Sequence, residues 1–338
     1  VPTANFNSVL WSNGVGEHKT PITGVGFQPD WTWIKMRNAG QNHVLTDSVR
    51  GVTKTLESNT TDSEETVAQG LTAFNSDGFA LGNDARFNSD ERSGVAWNWY
   101  APTAETNNAG TNGATIASTI KKNVDAGFSI VKHTGTGVVG TVGHGLDSAP
   151  ELIIYKQTSS SSVGKNWVVY ASPLGNTGGL LLNLTGNKFT DTDAWNNTTP
   201  TSTVFTLGAG DDGYGTQTNV SGKENIAYCF HSVDGMSRVG SYQGDNSTNE
   251  SNVIVTGFRP AFVMIKNTTT GSTSWVMADN RRGYADLYAN VADAEFASGS
   301  LYGAHFLSNG FTFATADISR NASNNTYIFL AIAEEVFN

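Results

Sequence analysis

Two aspartates come closest to a catalytic pair in this chain. Asp47 and Asp279 occupy matching segments, and each is followed three residues later by an arginine, Arg50 and Arg282. Two carboxylates facing one cleft would suit glycoside hydrolysis, with one as the acid and the other as base or nucleophile. A third related segment carries Tyr170-Ala171 in that region, so the copies do not share the carboxylate. We therefore predict surface ion pairs here, no catalytic residues, and a protein that is not an enzyme.

Cofactor and nucleophile motifs give no stronger candidate. Residues 135–140, Gly-Thr-Gly-Val-Val-Gly, match the glycine pattern of a dinucleotide-binding loop. Such a loop binds pyrophosphate where it leads from a strand into a helix, whereas the residues after Gly140 lead towards another strand. We interpret the segment as a hairpin and predict no cofactor. No Gly-x-Ser-x-Gly elbow occurs, and the single cysteine, Cys229, lies in an apolar strand where a buried thiol is inert.

Histidines and acidic turns do not define a metal site. The histidines fall at different positions of the copies and never form a close ligand pair. They are His18, His43, His133, His144, His231 and His305. Asp211-Asp212-Gly213 offers oxygens of the kind that calcium takes, without the alternating spacing of a calcium loop. We interpret it as a solvated turn and predict no metal ligands.

Aromatic residues are the remaining candidates for binding. The chain has 8 Trp, 10 Tyr and 17 Phe, and rings beside Asn and Asp suit the faces and hydroxyls of sugars. Trp11, Trp195 and Tyr214 lie in turn-rich surroundings. We predict that these three rings contact a glycan ligand, whereas core packing explains most of the other aromatics.

The elements that must position these residues come from an internal repeat. Three segments carry a proline followed six positions later by a lysine, with an apolar run between them: Pro29 to Lys35, Pro150 to Lys156 and Pro260 to Lys266. Proline at the entry, where no ladder donor is needed, and a β-branched or aromatic run predict a strand that the lysine closes.

Further landmarks follow each of these strands in the same order. A glycine lies eight positions after the first residue in each of His43–Gly51, Trp167–Gly175 and Trp275–Gly283. Each copy then closes on an apolar strand, at Val95–Tyr100, Ile226–Phe230 and Tyr327–Ala333. Several matched landmarks in one order indicate a threefold duplication of one module.

The repeat and the turn spacing predict an all-β fold. We expect three tandem homologous antiparallel β-sandwich units, of jelly-roll or concanavalin-like type. Their bounds are 1–102 for unit one, 118–234 for unit two and 235–338 for unit three, with a polar linker at 103–117. A β-propeller is less favoured because three units of this length are too few and too long to be blades. A single triangular prism with pseudo-threefold symmetry stays open.

Composition excludes several classes of partner. Charged residues make up 15% of the 338 residues, and the net charge of -10 with a pI near 5.0 argues against nucleic-acid binding or an anionic membrane. The sequence has no long apolar run and no charged-then-apolar start. We expect a soluble chain without a secretion leader or membrane insertion.

A set of motifs spread over nearly the whole chain resembles a known family. These are Gly26 to Lys35, His43 to Gly51, Thr141 to Leu146, Ile226 to Phe230 and Gly240 to Gly244. Together they resemble uncharacterised bacteriophage virion proteins, frequent in marine and cyanobacterial phages and usually called tail or tail-fibre proteins. The resemblance implies a structural or host-recognition role on the particle and brings no catalytic residues.

We therefore expect a non-enzymatic virion protein at the particle surface: a tail fibre, spike or capsid-decoration protein. Its partners would be other virion proteins and a host cell-surface glycan, and the role suggests a homotrimer. One alternative is a polysaccharide-degrading tail depolymerase. Another is a bacterial surface adhesin or filament subunit.

Overall fold

The chain folds almost entirely into short antiparallel strands. The computed structural model describes residues 5–161, 164–296 and 303–334. Unit one contains β1 (Phe6–Ser12), β2 (Ile22–Thr23), β3 (Trp31–Met36), β4 (Val44–Asp47), β5 (Lys54–Glu57), β6 (Glu65–Thr66), β7 (Leu71–Asn75), β8 (Gly78–Leu81) and β9 (Ser93–Trp99).

The middle of the chain adds two single helical turns. The strands there are β10 (Thr103–Asn107), β11 (Ser118–Asn123), β12 (Phe128–Thr134), β13 (Gly140–Gly143), β14 (Leu152–Gln157), β15 (Val168–Ala171), β16 (Gly178–Leu181), β17 (Phe189–Thr190), β18 (Val204–Leu207) and β19 (Glu224–Phe230). A 3-10 turn spans Ser172–Leu174, and α1 spans Gly215–Thr218.

Unit three is again made of strands alone in its described residues. These are β20 (Ser237–Gln243), β21 (Ile254–Val255), β22 (Pro260–Asn267), β23 (Val276–Asp279), β24 (Leu287–Tyr288), β25 (Ala304–Leu307), β26 (Gly310–Phe313) and β27 (Thr326–Ala333).

One strand order recurs in the three large sheets, which we call the main sheets. It runs β1-β9-β3-β4-β5, then β12-β19-β14-β15-β16, then β20-β27-β22-β23-β24. A smaller outer sheet accompanies each one: β2-β8-β7, β13-β18 and β21-β26-β25. All of the strand pairs within these sheets are antiparallel. The prediction of an all-β fold of antiparallel sandwiches is confirmed.

Each main sheet packs against its outer sheet through a local core. In unit two, for example, Ala227 and Cys229 of β19 pack with Phe205 of β18. Burial raises the pKa of the Cys229 thiol, which keeps it protonated.

The other faces of the three main sheets meet in one central core. On β19 the residues that alternate with Ala227 and Cys229 point the opposite way, so Tyr228 and Phe230 belong to this shared core. Trp31 of unit one stacks on Tyr228 of unit two, with ring centroids 4.0 Å apart and planes inclined by 11°. The rings of Phe6 in unit one and Phe262 in unit three pack with their centroids 5.6 Å apart.

This double burial explains why the central strands read as continuous apolar runs. Successive side chains of a strand point to opposite faces, so a strand with both faces covered cannot alternate with polar residues. Every residue of β3, β14 and β22 is buried. The arrangement combines two of the expected architectures, because the sandwiches stay distinct on the outside while their inner faces form a single core.

Part of the predicted linker is a strand. Thr103–Asn107 forms β10, which pairs with β11 at the edge of the second main sheet. The segment lacks an apolar period because most of its side chains face solvent at that edge. We call this pair of strands the edge hairpin.

Candidate functional site

Two of the three predicted glycan-binding rings lie inside the cores. Trp11 is 4% exposed, and its ring covers Gly94, where an added Cβ would lie 2.2 Å from Cζ2 of the tryptophan. Trp195 is 1% exposed and meets Tyr155 and Tyr170 edge-on. The prediction that these rings face a ligand is therefore wrong. Turn residues flank both tryptophans, but the indoles themselves point inward.

The third predicted residue, Tyr214, stays partly exposed. Its ring stacks on Phe189 with centroids 3.8 Å apart, and its backbone N–H donates to Oδ2 of Asp191 at 3.1 Å. A stacked aromatic pair beside a carboxylate keeps the chemistry that suits a sugar face. Tyr214 therefore remains a candidate contact.

Asp47 and Arg50 form a buried ion pair between units one and two. Nε of Arg50 lies 2.5 Å from Oδ2 of Asp47, and the two side chains are 1% and 0% exposed. The same oxygen accepts a hydrogen bond of 2.8 Å from the Tyr228 hydroxyl of unit two. Burial, together with the charge of Asp47, raises the pKa of Tyr228 well above its usual value, so the hydroxyl remains a donor.

An equivalent group joins units three and one. Nε of Arg282 lies 2.6 Å from Oδ2 of Asp279, and both side chains are fully buried. Nε1 of Trp97, on β9, donates to the same oxygen at 2.9 Å. The predicted surface ion pairs are thus wrong at both places, because the faces that carry them are covered by the next main sheet.

The third junction carries apolar residues at the matching positions. In unit two Ala171 stands where Asp47 stands in unit one, and Leu174 stands where Arg50 does. In unit three Leu330 occupies the position of Tyr228 on the closing strand. All three leucine and alanine side chains belong to the central core or pack against it. At these positions the facing residues are therefore matched at each junction: a carboxylate meets a hydrogen-bond donor at two junctions, and apolar side chains stand at both positions of the third.

Indole N–H groups add a second set of contacts between units. Nε1 of Trp167 in unit two donates to the backbone carbonyl of Glu57 in unit one at 2.9 Å. Nε1 of Trp275 in unit three donates to the carbonyl of Leu181 in unit two at 3.0 Å. His43 occupies the corresponding place in unit one and accepts from Nε1 of Trp33 at 2.9 Å. Burial lowers its pKa well below the usual value, which keeps the ring neutral.

The strand-closing lysines are buried as well. Lys35, Lys156 and Lys266 are all 0% exposed. Nζ of Lys156 donates to the carbonyls of Thr61, in unit one, and Lys165. Burial lowers the pKa of Lys156 to about 7 and that of the other two lysines to about 8. A strand-ending lysine reads as a surface residue in the sequence, and only the docking of the next unit covers it.

The glycine-rich segment is a loop between two strands. Residues 135–139 connect β12 to β13, and Gly137 N–H donates to the carbonyl of Asn219 at 2.9 Å. A strand follows the glycines, as expected, but the hairpin interpretation is wrong. β12 belongs to the second main sheet and β13 pairs with β18 in the outer sheet, so the loop crosses from one sheet to the other. Within the described residues, no group of three or more histidine, cysteine or acidic side chains is placed to hold a metal ion.

Two of the small polar cavities among the described residues lie where segments distant in the sequence meet. One, of about 160 Å³, lies at the seam of units one and two and is lined by Thr61, Asp62, Gln157 and Lys165 among others. The other, of about 110 Å³, lies beneath the edge hairpin. Neither was visible in the sequence, since both depend on how loops from distant segments meet.

The chain is thus an all-β protein in which antiparallel sandwiches share one aromatic core. It belongs to the family described as Domain of unknown function (DUF7483), whose model matches residues 1–336. Comparison with curated proteins finds no match. Among the described residues, no helix is long and apolar enough to cross a membrane.

Proposed function

We propose that this protein is a non-enzymatic structural component of a bacteriophage particle: a tail fibre, spike or capsid-decoration protein whose loops contact host cell-surface glycan. The resemblance of its repeated motifs to virion proteins is the source of the phage assignment. The observation that carries the structural role is the central core shared by three main sheets.

A shared core supports this role because it resists deformation. Strands buried on both faces cannot shift without breaking contacts on two sides at once. The buried ion pairs of Asp47 and Asp279 add polar contacts with defined geometry at two of the junctions. A rigid body of this kind holds its outer loops at fixed positions without any cofactor.

The location is tested on purified particles. Antibody raised against the folded protein and coupled to gold should label the particle at regular sites, on the tail or on the capsid. Regular labelling would support a virion component and show where it sits. Particles that lack the protein by mass spectrometry would contradict the proposal.

Glycan contact is tested with polysaccharide from the host surface. The expected result is retention of the protein on immobilised polysaccharide without release of reducing ends. Release of reducing ends would instead favour a depolymerase, and absence of retention would remove the glycan-binding part of the proposal.

The assembly state follows from the same role. We propose a homotrimer, as is suited to a fibre or spike, and light scattering of the purified chain and of its complexes measures it. A monomer both in solution and on particles would refute the trimer while leaving the structural role in place.

A further inference from the structure

Unit two contains a segment that closes one side of its sandwich. There β11 pairs with β12 of the main sheet, and Ile116, which precedes β11, forms a parallel bridge with Val142 of the outer-sheet strand β13. Ile116 and Ile120 are both buried in the core between the two sheets. The segment 114–120 therefore joins a main sheet to its outer sheet along their open edges.

The same side of unit three is open. Its main sheet ends at β20 and its outer sheet at β21, and among the described residues no further strand pairs with either edge. Between these strands lies a cleft of about 480 Å³, which we call the open cleft, lined by residues 238–243 and 252–255 and by Phe329. Two apolar side chains of its lining, Val253 and Val255, are 46% and 61% exposed. Unit three thus presents two strand edges and an exposed apolar rim together.

In unit one the corresponding side is closed without an added segment. The registers of the edge strands on the closing strands place Asn7 of β1 where Arg238 stands on β20. The Asn7 amide donates to the backbone carbonyls of Gly24 and Val25, at 3.3 and 3.1 Å, and so ties β1 to the segment after β2. An arginine replaces this amide in unit three, so the open cleft belongs to that unit.

The main chain of Ser241 faces into the open cleft. On β20 the Val239 N–H donates to Oγ of Ser232, and the Gln243 carbonyl accepts from Nδ2 of Asn252, each at 3.0 Å. Both of these partners lie on the side away from β27. The hydrogen-bonding groups of alternate strand residues point to the same side, so those of Ser241 also point away from β27. This edge therefore offers a donor and an acceptor to an added strand.

The beginning of β20 limits the length of such a strand. Val233 forms an antiparallel bridge with Ser237, so the chain itself covers the edge at that point. Arg238 lies at this end of the open cleft, exposed and with no ion-pair partner among the described residues. A strand that pairs with Ser241 must end near Arg238, where a carboxylate would meet an uncompensated positive charge.

We propose that the open cleft binds the C-terminal end of an extended segment from another virion protein, added antiparallel to β20. Unit two shows the occupant within its own chain, because Val131 stands where Gly240 does and pairs with Ile120. The bound segment carries two apolar residues four positions apart. The first packs against Ile254, the second lies opposite Gly240, and the terminal carboxylate pairs with Arg238.

This proposal rests on the structural part of the proposed function and gives the chemistry of the partner. The probe is a synthetic peptide, Ala-Thr-Ile-Ala-Ser-Thr-Ile, which copies residues 114–120 and ends in a free carboxylate. Fluorescence anisotropy of the labelled peptide with the full chain should show saturable binding. Amidation of its C-terminus should weaken binding about threefold, and Arg238→Ala should abolish the difference between the two peptides.

The decisive variant is Ser241→Pro. Proline removes the outward N–H and leaves the ladder to β27 intact, so peptide binding should weaken about tenfold or more. Leu10→Pro is the matched control, because Leu10 occupies the position of Ser241 on the edge strand of unit one. This control should bind the peptide as the wild type does.

Hydrogen exchange of the wild type tests the same contact without a variant. The peptide should slow exchange of the Ser241 amide and leave that of Leu10 unchanged. Absence of saturable binding, an unprotected Ser241 amide, or equal binding by a folded Ser241→Pro variant would overturn the proposal. Wild-type oligomers that Ser241→Pro dissociates would identify a second copy as the occupant and overturn the assignment to another protein. Regular gold labelling of particles together with any of these results would leave the proposed structural role standing.

Discussion

Replacing Asp47 by alanine should destabilise the whole protein. In the native fold this carboxylate accepts from Arg50 at 2.5 Å, from the Tyr228 hydroxyl at 2.8 Å and from the backbone N–H groups of Val49 and Arg50 at 3.0 and 2.8 Å. Asp47→Ala leaves the guanidinium of Arg50 buried without its closest counter-charge. Removing one partner of a buried ion pair costs about 3–5 kcal/mol, so we expect a loss of roughly 4 kcal/mol.

The apolar third junction supplies the compensating variant. Asp47→Ala, Arg50→Leu and Tyr228→Leu together copy the residues that the chain itself uses at Ala171, Leu174 and Leu330. Apolar groups of similar volume often replace a buried ion pair without loss, so the triple variant should recover at least about 2 kcal/mol relative to Asp47→Ala alone.

Equilibrium unfolding in urea, followed by tryptophan fluorescence and circular dichroism, measures both effects. Asp84→Ala is the matched control because the Asp84–Arg86 pair is partly exposed, with side chains 22% and 20% exposed. Its loss should stay below about 1 kcal/mol. The reasoning is refuted if Asp47→Ala costs no more than this control, or if the triple variant is as unstable as the single one.

Three further predictions concern other parts of the same framework. Burial lowers the pKa of Lys156 to about 7, so above that pH the unfolded state binds more protons than the folded state. The unfolding free energy should therefore rise by roughly 2 kcal/mol between about pH 7 and 9. Urea titrations at each pH measure this slope, and Lys156→Met should remove the part that Lys156 contributes. Trp275→Phe removes a hydrogen bond of 3.0 Å to unit two and should lower the unfolding free energy by about 1 kcal/mol or more in the same assay. An unchanged unfolding free energy would contradict this prediction. Gly94→Ala should lower stability by about 1–3 kcal/mol because the new methyl overlaps Trp11, whereas Gly186→Ala, with open space around it, should change little; equal melting temperatures for the two variants would contradict this packing.

The course of the strands could be inferred from local sequence. The apolar run from Pro260 to Lys266 becomes β22, and the aromatic run before Phe230 becomes β19. The apolar pattern of a strand and the turn residues at its ends extend over only a few positions, and strand formation is decided over that same range. The burial of Cys229 followed in the same way from its apolar neighbours.

Whether a given side chain is buried or exposed could not be inferred from its sequence neighbours alone. Trp11 has turn residues beside it yet lies in a core, and Lys156 lies one residue before the end of β14 yet is fully buried. In both cases the covering surface comes from a segment far along the chain. Exposure of a strand end is decided by whatever packs on it.

The sequence by itself determined an all-β chain of antiparallel strands, because short apolar runs of β-branched and aromatic residues and the turn residues between them act locally. Only the tertiary structure decided that Asp47 would meet Tyr228, 181 residues away, and that the inner faces of three sheets would close over these groups. A carboxylate followed by an arginine satisfies the same local rules on a surface and in a core. The docking of one main sheet on the next excludes water from the ion pair, and the pair then becomes a buried contact between two units.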